Sequence, residues 1–373
     1  MINIAVIEPS GKLYGSEMVL LDILKNVNRS KFSFTVFLPA KSQLSILLEA
    51  ANIAYIETLV SASESAYKKI ISYYNTNKEI VAGNFDLIFV NQAGILRPIS
   101  ILNNIRGKLP IVCEVSTLED AHWMNKKSRF TLHRVKSFIS NSNFISNNLN
   151  IKSSSKSTLY YGYEHKGLKR IEIAYQEQDF KIVLLGRISK SKGHFLLIDA
   201  AKQLRKYPFT FYIVGSAPSE DIQKDFERKI SGAGLEDMFV LRGFQTDIQK
   251  ELSGMHAMVV PSLLEPFGRI FCEAAEAGLP TVVSDSGGLG ELARHFKFGL
   301  RFKANEPEDL AKKLVLLYEN YEKIAAEDLS HGKRMLSRLN MKSYISRIEF
   351  LLEKAAANGE VSVDWLGEEQ VIT

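Results

Sequence analysis

Short, unbroken apolar runs recur along this chain in two separate blocks, and that pattern limits the fold more than any other feature. A strand with one wet face alternates apolar and polar residues. A run that is apolar throughout suits a strand covered on both faces, as in a parallel sheet. The first block holds Ile4–Ile7, Phe34–Leu38, Asp86–Val90, Pro110–Cys113 and Ser137–Ser140, with a helical pattern at Glu17–Val27. The second holds Lys181–Gly186, Phe209–Val214, Phe239–Leu241, Ala257–Val260 and Thr281–Val283, then a helix-rich stretch from Pro307 to about Ala357. Strands alternating with helical stretches predict βαβ units. The expected fold is α/β, with two doubly wound, Rossmann-like parallel-sheet domains.

A length of 373 residues suits two domains. Tyr160–Gln178 carries little pattern and reads as the linker, which sets the expected domains at 1–165 and 166–356. The last helix is allowed to cross back onto the first domain. Residues 357–373 contain Glu360, Asp364, Glu368 and Glu369 with no Lys or Arg, and read as an acidic, solvated tail. Met1–Glu8 lacks the basic start and long apolar core of a signal peptide and reads as a first strand. No apolar run approaches the roughly 20 residues that span a bilayer. Cys113 and Cys272 sit far apart in apolar runs, so a disulfide framework is not expected. These features point to the cytoplasm, with membrane contact limited to peripheral binding at the inner face. The net charge of +5 permits an anionic ligand, but no basic tract or module suggests nucleic acid.

The residues richest in chemistry follow the run Ala257–Val260. They read Pro261-Ser262-Leu263-Leu264-Glu265-Pro266-Phe267-Gly268-Arg269, then Ile270-Phe271-Cys272-Glu273-Ala274. Pro266 and Gly268 predict a tight loop at a strand's carboxyl end, and a helix starts near Arg269. Ligands of doubly wound sheets bind at that end, and a helix N-terminus there offers free N–H groups to an anion. Glu265 lies on the loop and Glu273 about one turn into the helix. The alternative is an ordinary strand–loop–helix with two solvated glutamates.

This pattern, Glu-x7-Glu with Pro-Phe-Gly after the first Glu, resembles the signature of retaining GT-B glycosyltransferases, family 4 in particular. Other segments follow in the family's order. Gly186-Arg187-Ile188-Ser189-Lys190-Ser191-Lys192-Gly193 is similar to its Gly-Arg…Lys-Gly loop, where Arg187 and Lys192 suit a diphosphate. Ser286-Gly287-Gly288-Leu289 matches its pyrophosphate loop. Arg242-Gly243-Phe244 matches the loop that meets the nucleobase. Ser10–Glu17 partly matches the first Gly-rich loop, with Tyr14 replacing one glycine and Gly15 retained.

The resemblance implies two domains facing a cleft and a nucleotide-diphosphate sugar as donor, a UDP-sugar before a GDP-sugar. It implies Glu265, Arg187 and Lys192 in catalysis, with Gly15, Gly243, Phe244, Phe267, Gly268, Arg269, Glu273, Ser286, Gly287, Gly288 and Leu289 also at the donor. Glu273 would hold the ribose hydroxyls. No Asp-x-Asp motif stands out, so no metal and no cofactor beyond the co-substrate is expected. The acceptor is expected to be a saccharide or lipid-linked saccharide, used in cell-surface polysaccharide synthesis.

The sequence departs from the family after Pro110–Cys113, where relatives carry histidines. Here Glu114 and Ser116 take the polar positions, and His122 is either a displaced functional residue or a helix-surface histidine. That departure keeps a second class open, a non-catalytic nucleotide-sugar-binding subunit. A nucleotide-sugar epimerase is a weaker third, since it has no need of the Glu265–Glu273 spacing. Residues 122–136 hold Lys126, Lys127, Arg129, Arg134 and Lys136 among Trp123, Met124, Phe130 and Leu132, with no acid. They read equally as a face for an anionic membrane or as a solvated helix.

Overall fold

A computed structural model describes residues 1–61, 63–125, 132–169 and 179–365. These form two compact units, one of residues 1–162 with 339–373, the other of Tyr163–Arg338.

The first unit carries β1 (Ile2–Ile7), α1 (Gly15–Asn26), β2 (Phe32–Pro39), α2 (Gln43–Ala50), β3 (Ala54–Leu59), α3 (Ala66–Ala82) and β4 (Leu87–Val90). It continues through α4 (Leu96–Ile105), β5 (Ile111–Val115), α5 (Leu118–Asn125), β6 (Val135–Ser140), α6 (Asn143–Asn148) and β7 (Lys156–Leu159). The second unit carries β8 (Phe180–Leu185), α7 (His194–Ala201), β9 (Phe209–Val214), α8 (Glu220–Gly232), β10 (Phe239–Gly243), α9 (Ile248–Leu252) and β11 (Ala257–Val260). After these come α10 (Arg269–Ala277), β12 (Thr281–Ser284), α11 (Gly287–Phe296), β13 (Leu300–Phe302), α12 (Pro307–Glu319) and α13 (Tyr321–Arg338). α14 (Met341–Ala356) and β14 (Asp364–Trp365) return to the first unit.

Both sheets are parallel throughout. The first has the order β14-β7-β6-β5-β4-β1-β2-β3 and the second β10-β9-β8-β11-β12-β13. The apolar runs explain this. β4, Leu-Ile-Phe-Val, and β11, Ala-Met-Val-Val, are buried at every position, so helices must cover both faces. In each sheet the strand order reverses beside the first strand, between β1 and β4 and between β8 and β11. Loops leaving the carboxyl ends of those neighbours part there and leave a crevice.

Several elements differ from the sequence reading. No apolar run announces β7, whose buried residues include Ser157 and Thr158, or the three-residue β13. β3 is an edge strand of mixed exposure, Ala-Tyr-Ile-Glu-Thr-Leu, so no apolar run announces it. Tyr160, Tyr161 and Tyr163 are buried within the stretch read as linker, whose residues 170–178 lie outside the described residues. Residues 357–365 are not a solvated tail: Val361, Val363 and Trp365 are buried, and β14 pairs in parallel with β7. Burying Trp365, with Arg347 stacked over its ring at 4.5 Å, outweighs the acidic composition. Residues 366–373 lie outside the described residues.

Candidate functional site

Three loops of the second unit interlock at the carboxyl ends of β8, β11 and β12. Leu263 N–H donates to the Ser191 carbonyl at 2.9 Å, tying the loop after β11 to the loop after β8. Leu289 N–H donates to the Glu265 carbonyl at 3.2 Å, and Ser286 Oγ donates to the Leu263 carbonyl at 2.6 Å, tying in the loop after β12. Two glycines make the contacts tight enough. Gly193 has φ +78°, and a Cβ there would lie 1.9 Å from the Pro261 carbonyl oxygen; Gly287 has φ +58°, with a Cβ 2.5 Å from that of Glu265. Any other residue would push the loops apart.

Side chains then converge on this frame. Lys192 Nζ contacts Glu265 Oε2 at 2.5 Å, and Ser262 Oγ donates to the same oxygen at 3.4 Å. The Glu265 side chain is 13% exposed, so its carboxylate is fixed but reachable. Arg187 is exposed on the same loop as Lys192, five residues before it, and buried Ile188 anchors that loop. His194 is buried at the start of α7, and burial pushes its imidazole down to about 4, so it stays neutral.

The helix starts add dipoles. Ser42, Ser65, Ser142, Ser219, Asp247 and Asn340 cap their helices with side chains, while α4 and α12 start behind Ile95 and Glu306 without one. α7, α10 and α11 begin at Gly193, Gly268 and Ser286 with no side-chain cap. Taken by itself, the first unit also has an uncapped helix start, α1 behind Tyr14, with exposed Gly15 its first residue. Uncapped first-turn N–H groups with a positive dipole end suit an anionic ligand.

The structure therefore brings together Lys192, Glu265, Gly268, Ser286, Gly287 and Leu289, with Gly288 buried in the first turn of α11. Phe267 is buried and holds its loop, while Arg269 and Glu273 face outward in part on α10. At the end of β10, Gly243 O accepts from Gly215 N–H at 2.8 Å, and Phe244 just beyond is 73% exposed. Arg242 is held by Glu251 in a two-pronged pair at 3.0 and 3.2 Å.

Sequence reasoning missed the partners of α10. Lys166 Nζ pairs with Glu273 Oε1 at 2.6 Å. Glu276 receives Tyr163 OH at 2.7 Å, Lys166 N–H at 3.1 Å and Gly167 N–H at 3.0 Å, with His165 Nδ1 at 3.2 Å. Burial raises the Glu276 carboxyl, but the hydrogen bonds from Tyr163, Lys166, Gly167 and His165 together hold it below the usual range. The only sequence signal is the Glu273–Glu276 spacing, which sets both on one side of the helix.

In the first unit, Glu114 and Ser116 are buried at the end of β5. Tyr161 OH donates to Glu114, and Asn141 Nδ2 donates to the Ser116 carbonyl at 3.0 Å. Burial pushes Glu114 up to about 8; Tyr161 opposes the rise, and Asp120, Glu8 and Glu17 add to it. Glu8 and Glu17 were not singled out by sequence. Glu8 accepts from Ser10 N–H at 2.7 Å and Asn91 Nδ2 at 2.5 Å, and Glu17 from Gln92 Nε2 at 3.2 Å, so they organise the loop after β1. His122 is exposed on α5. Within 122–136, residues 126–131 lie outside the described residues, while Met124 and Val135 are buried. Among the described residues no cluster of His, Cys, Asp and Glu could hold a metal ion, and no helix is long and apolar enough to cross a membrane.

Comparison with known proteins bears on the same segment. Residues 166–332 match the family model for glycosyl transferases group 1. The uncharacterized glycosyltransferase MJ1607 of Methanocaldococcus jannaschii is 32% identical over 152 residues, 40% of this chain and 38% of that protein. The D-inositol 3-phosphate glycosyltransferase of Paenarthrobacter aurescens is 28% identical over 188 residues, 46% of this chain and 45% of that one. The match thus spans less than half the length of these relatives. Anabaena Alr3699/HepE, solved with UDP-glucose, superposes with a TM-score of 0.80 at 22% identity, over 95% of this chain and 100% of its own. At that identity the likeness shows the fold, which is GT-B.

Proposed function

From a GT-B chain whose residues 166–332 form a glycosyl transferases group 1 domain, we propose a retaining glycosyltransferase. It moves a sugar from a nucleotide-diphosphate donor to a saccharide or lipid-linked saccharide in cell-surface polysaccharide synthesis. The observation that carries this reading is the Lys192–Glu265 pair at 2.5 Å, set among uncapped helix starts. UDP-sugars are favoured as donors, in keeping with HepE having been solved with UDP-glucose.

Breaking the sugar–diphosphate bond leaves negative charge on the phosphate oxygens. Arg187, Lys192 and the N–H groups of Gly287 and Gly288 stabilise that charge more in the transition state than in the bound donor. These cations stand in for a divalent metal, and no cofactor is needed. Glu265 holds the sugar and supports positive charge at its anomeric carbon. Glu273 holds the ribose hydroxyls, and Phe244 and Gly243 border the base. The acceptor hydroxyl attacks on the leaving-group face, and its proton passes to the departing phosphate.

A second reading, a nucleotide-sugar-binding subunit without catalysis, draws on the first unit. There Tyr161 already engages Glu114, and His122 faces solvent. A melting screen against UDP, GDP, ADP, CMP and dTDP, with and without magnesium, followed by transfer assays, separates the two. A shift with one diphosphate that is independent of magnesium, plus sugar transfer, supports the enzyme. A shift without transfer supports the subunit, and no shift at all overturns the donor site.

A further inference from the structure

α3 is turned the wrong way round for a helix that ends at water. Its inward face carries Ser72, Thr76 and Asn77 beside Ile80. Thr76 donates to Thr58 at 2.7 Å, but Ser72 Oγ and both polar atoms of the Asn77 side chain have no partner among the described residues. The outward face carries Tyr67, Ile70, Ile71, Tyr74 and Val81, exposed by 74, 65, 40, 43 and 45%. Spacings of three, four and seven residues line these up as one apolar stripe. A surface helix serving only its own core would sit half a turn round, with the polar residues wet and the stripe buried.

The stripe continues onto α4, which packs against α3. Ile101 and Ile105 are 38 and 68% exposed there, and the Arg106 guanidinium lies over the Tyr74 ring at 4.9 Å. The charges around the stripe are chiefly basic. Lys78 lies within it and Lys68 beside it, and Arg97, Arg106 and Lys108 are exposed along or just beyond α4. The Lys68–Glu64 pair at 2.9 Å cancels, which leaves Glu79 against Lys78, Arg97, Arg106 and Lys108.

We infer that the α3–α4 face docks on an anionic lipid bilayer. Ile side chains enter the acyl boundary, Tyr rings settle at headgroup level, and Lys and Arg reach the lipid phosphates. A second copy of the chain is a poorer occupant, because a two-fold contact uses the same patch from both copies and would bring two chiefly basic faces together. Arg134, near the end of residues 122–136, donates to the Lys108 carbonyl at 2.7 Å, so the surface adjoins the described part of that segment. The inference does not depend on the reaction proposed above.

Flotation with vesicles of phosphatidylcholine plus phosphatidylglycerol, against phosphatidylcholine alone, tests it with the full chain. The wild type is expected to float with the anionic vesicles only. The Ile70→Ser/Tyr74→Ser pair and, separately, Lys78→Glu should each lower the bound fraction, about tenfold for the pair. All three residues are exposed, so unchanged melting temperatures would assign the loss to the surface. The inference is overturned if the wild type binds neither vesicle, or if both variants float like it. A two-copy mass in solution that the paired substitution returns to one would overturn it as well.

Discussion

Lys192 and Glu265 are held 2.5 Å apart by loops that leave β8 and β11, neighbouring strands where the sheet order reverses. The pairing fixes the carboxylate before any ligand arrives and leaves the Lys192 side chain 39% exposed. Lys192→Met should therefore lower kcat about 10²-fold, the usual effect of losing one donor to a developing oxyanion. Donor KM should change less, and steady-state kinetics with the best UDP-sugar read the split. A raised KM with kcat unchanged would instead assign Lys192 to uniform binding of donor and transition state.

The interlocked loops predict a sharp contrast between glycines. Gly193→Ala places a Cβ against the Pro261 carbonyl at positive φ and should lower the melting temperature by several degrees or prevent folding. Gly232→Ala, near the end of α8 with nothing within 4 Å, should be neutral or stabilising by up to about 1 kcal/mol. Thermal melts of the two variants side by side provide the check.

Glu114 carries a pH signature in stability. Its carboxyl titrates near 8 in the folded chain and at 4.5 when unexposed to burial, so between these values the folded state holds the extra proton. Stability from this group is complete below about pH 4.5, falls as pH rises, and levels off above 8. Glu114→Gln removes that slope. Its advantage over wild type should grow between pH 5 and pH 8 by on the order of 2–4 kcal/mol in urea unfolding.

Glu276 fastens the segment from Tyr163 to Gly167 onto α10. Glu276→Ala leaves those donors without their acceptor, and local opening becomes easier by about 1–2 kcal/mol. Trypsin should then cut at Lys166 roughly tenfold faster than in wild type, with cleavage timed by mass spectrometry.

Cys113 and Cys272 are buried, and burial pushes Cys272 up to about 12 and Cys113 well above the ordinary thiol range. Native protein at pH 8 should react with a thiol reagent only on the timescale of unfolding, while denatured protein should release both equivalents at once.

The sheets are legible in the sequence where a strand is apolar as well as buried, as in β4, β8 and β11, but not in β7, whose buried Ser157 and Thr158 break the apolar run. They are not legible at the edges: β3 mixes Tyr55 and Glu57 with Ile56, and β14 has two residues whose partners lie more than 200 positions away. The second-unit site is legible for a related reason. Pro261, Gly268 and Gly287 interrupt apolar runs at strand ends, and the charged residues between them have nowhere to go but the loops. Lys166, Glu276 and Tyr161 were invisible because their importance lies in partners far along the chain. The outward stripe of α3 reads as an ordinary amphipathic helix until burial shows which side faces in.

The first unit is completed by residues that follow the whole of the second. Thr158 N–H donates to the Val363 carbonyl at 2.8 Å, Val363 N–H donates to Ser157 Oγ at 3.0 Å, and Trp365 stacks against Tyr344 of α14. During synthesis the ribosome thus delivers residues 1–162 without their last strand and covering helix, then an entire second unit, and only then the missing piece. The second unit is free to fold while still tethered. The first must wait with the β7 edge open, and a chain stopped at Arg338 would stay in that unfinished state.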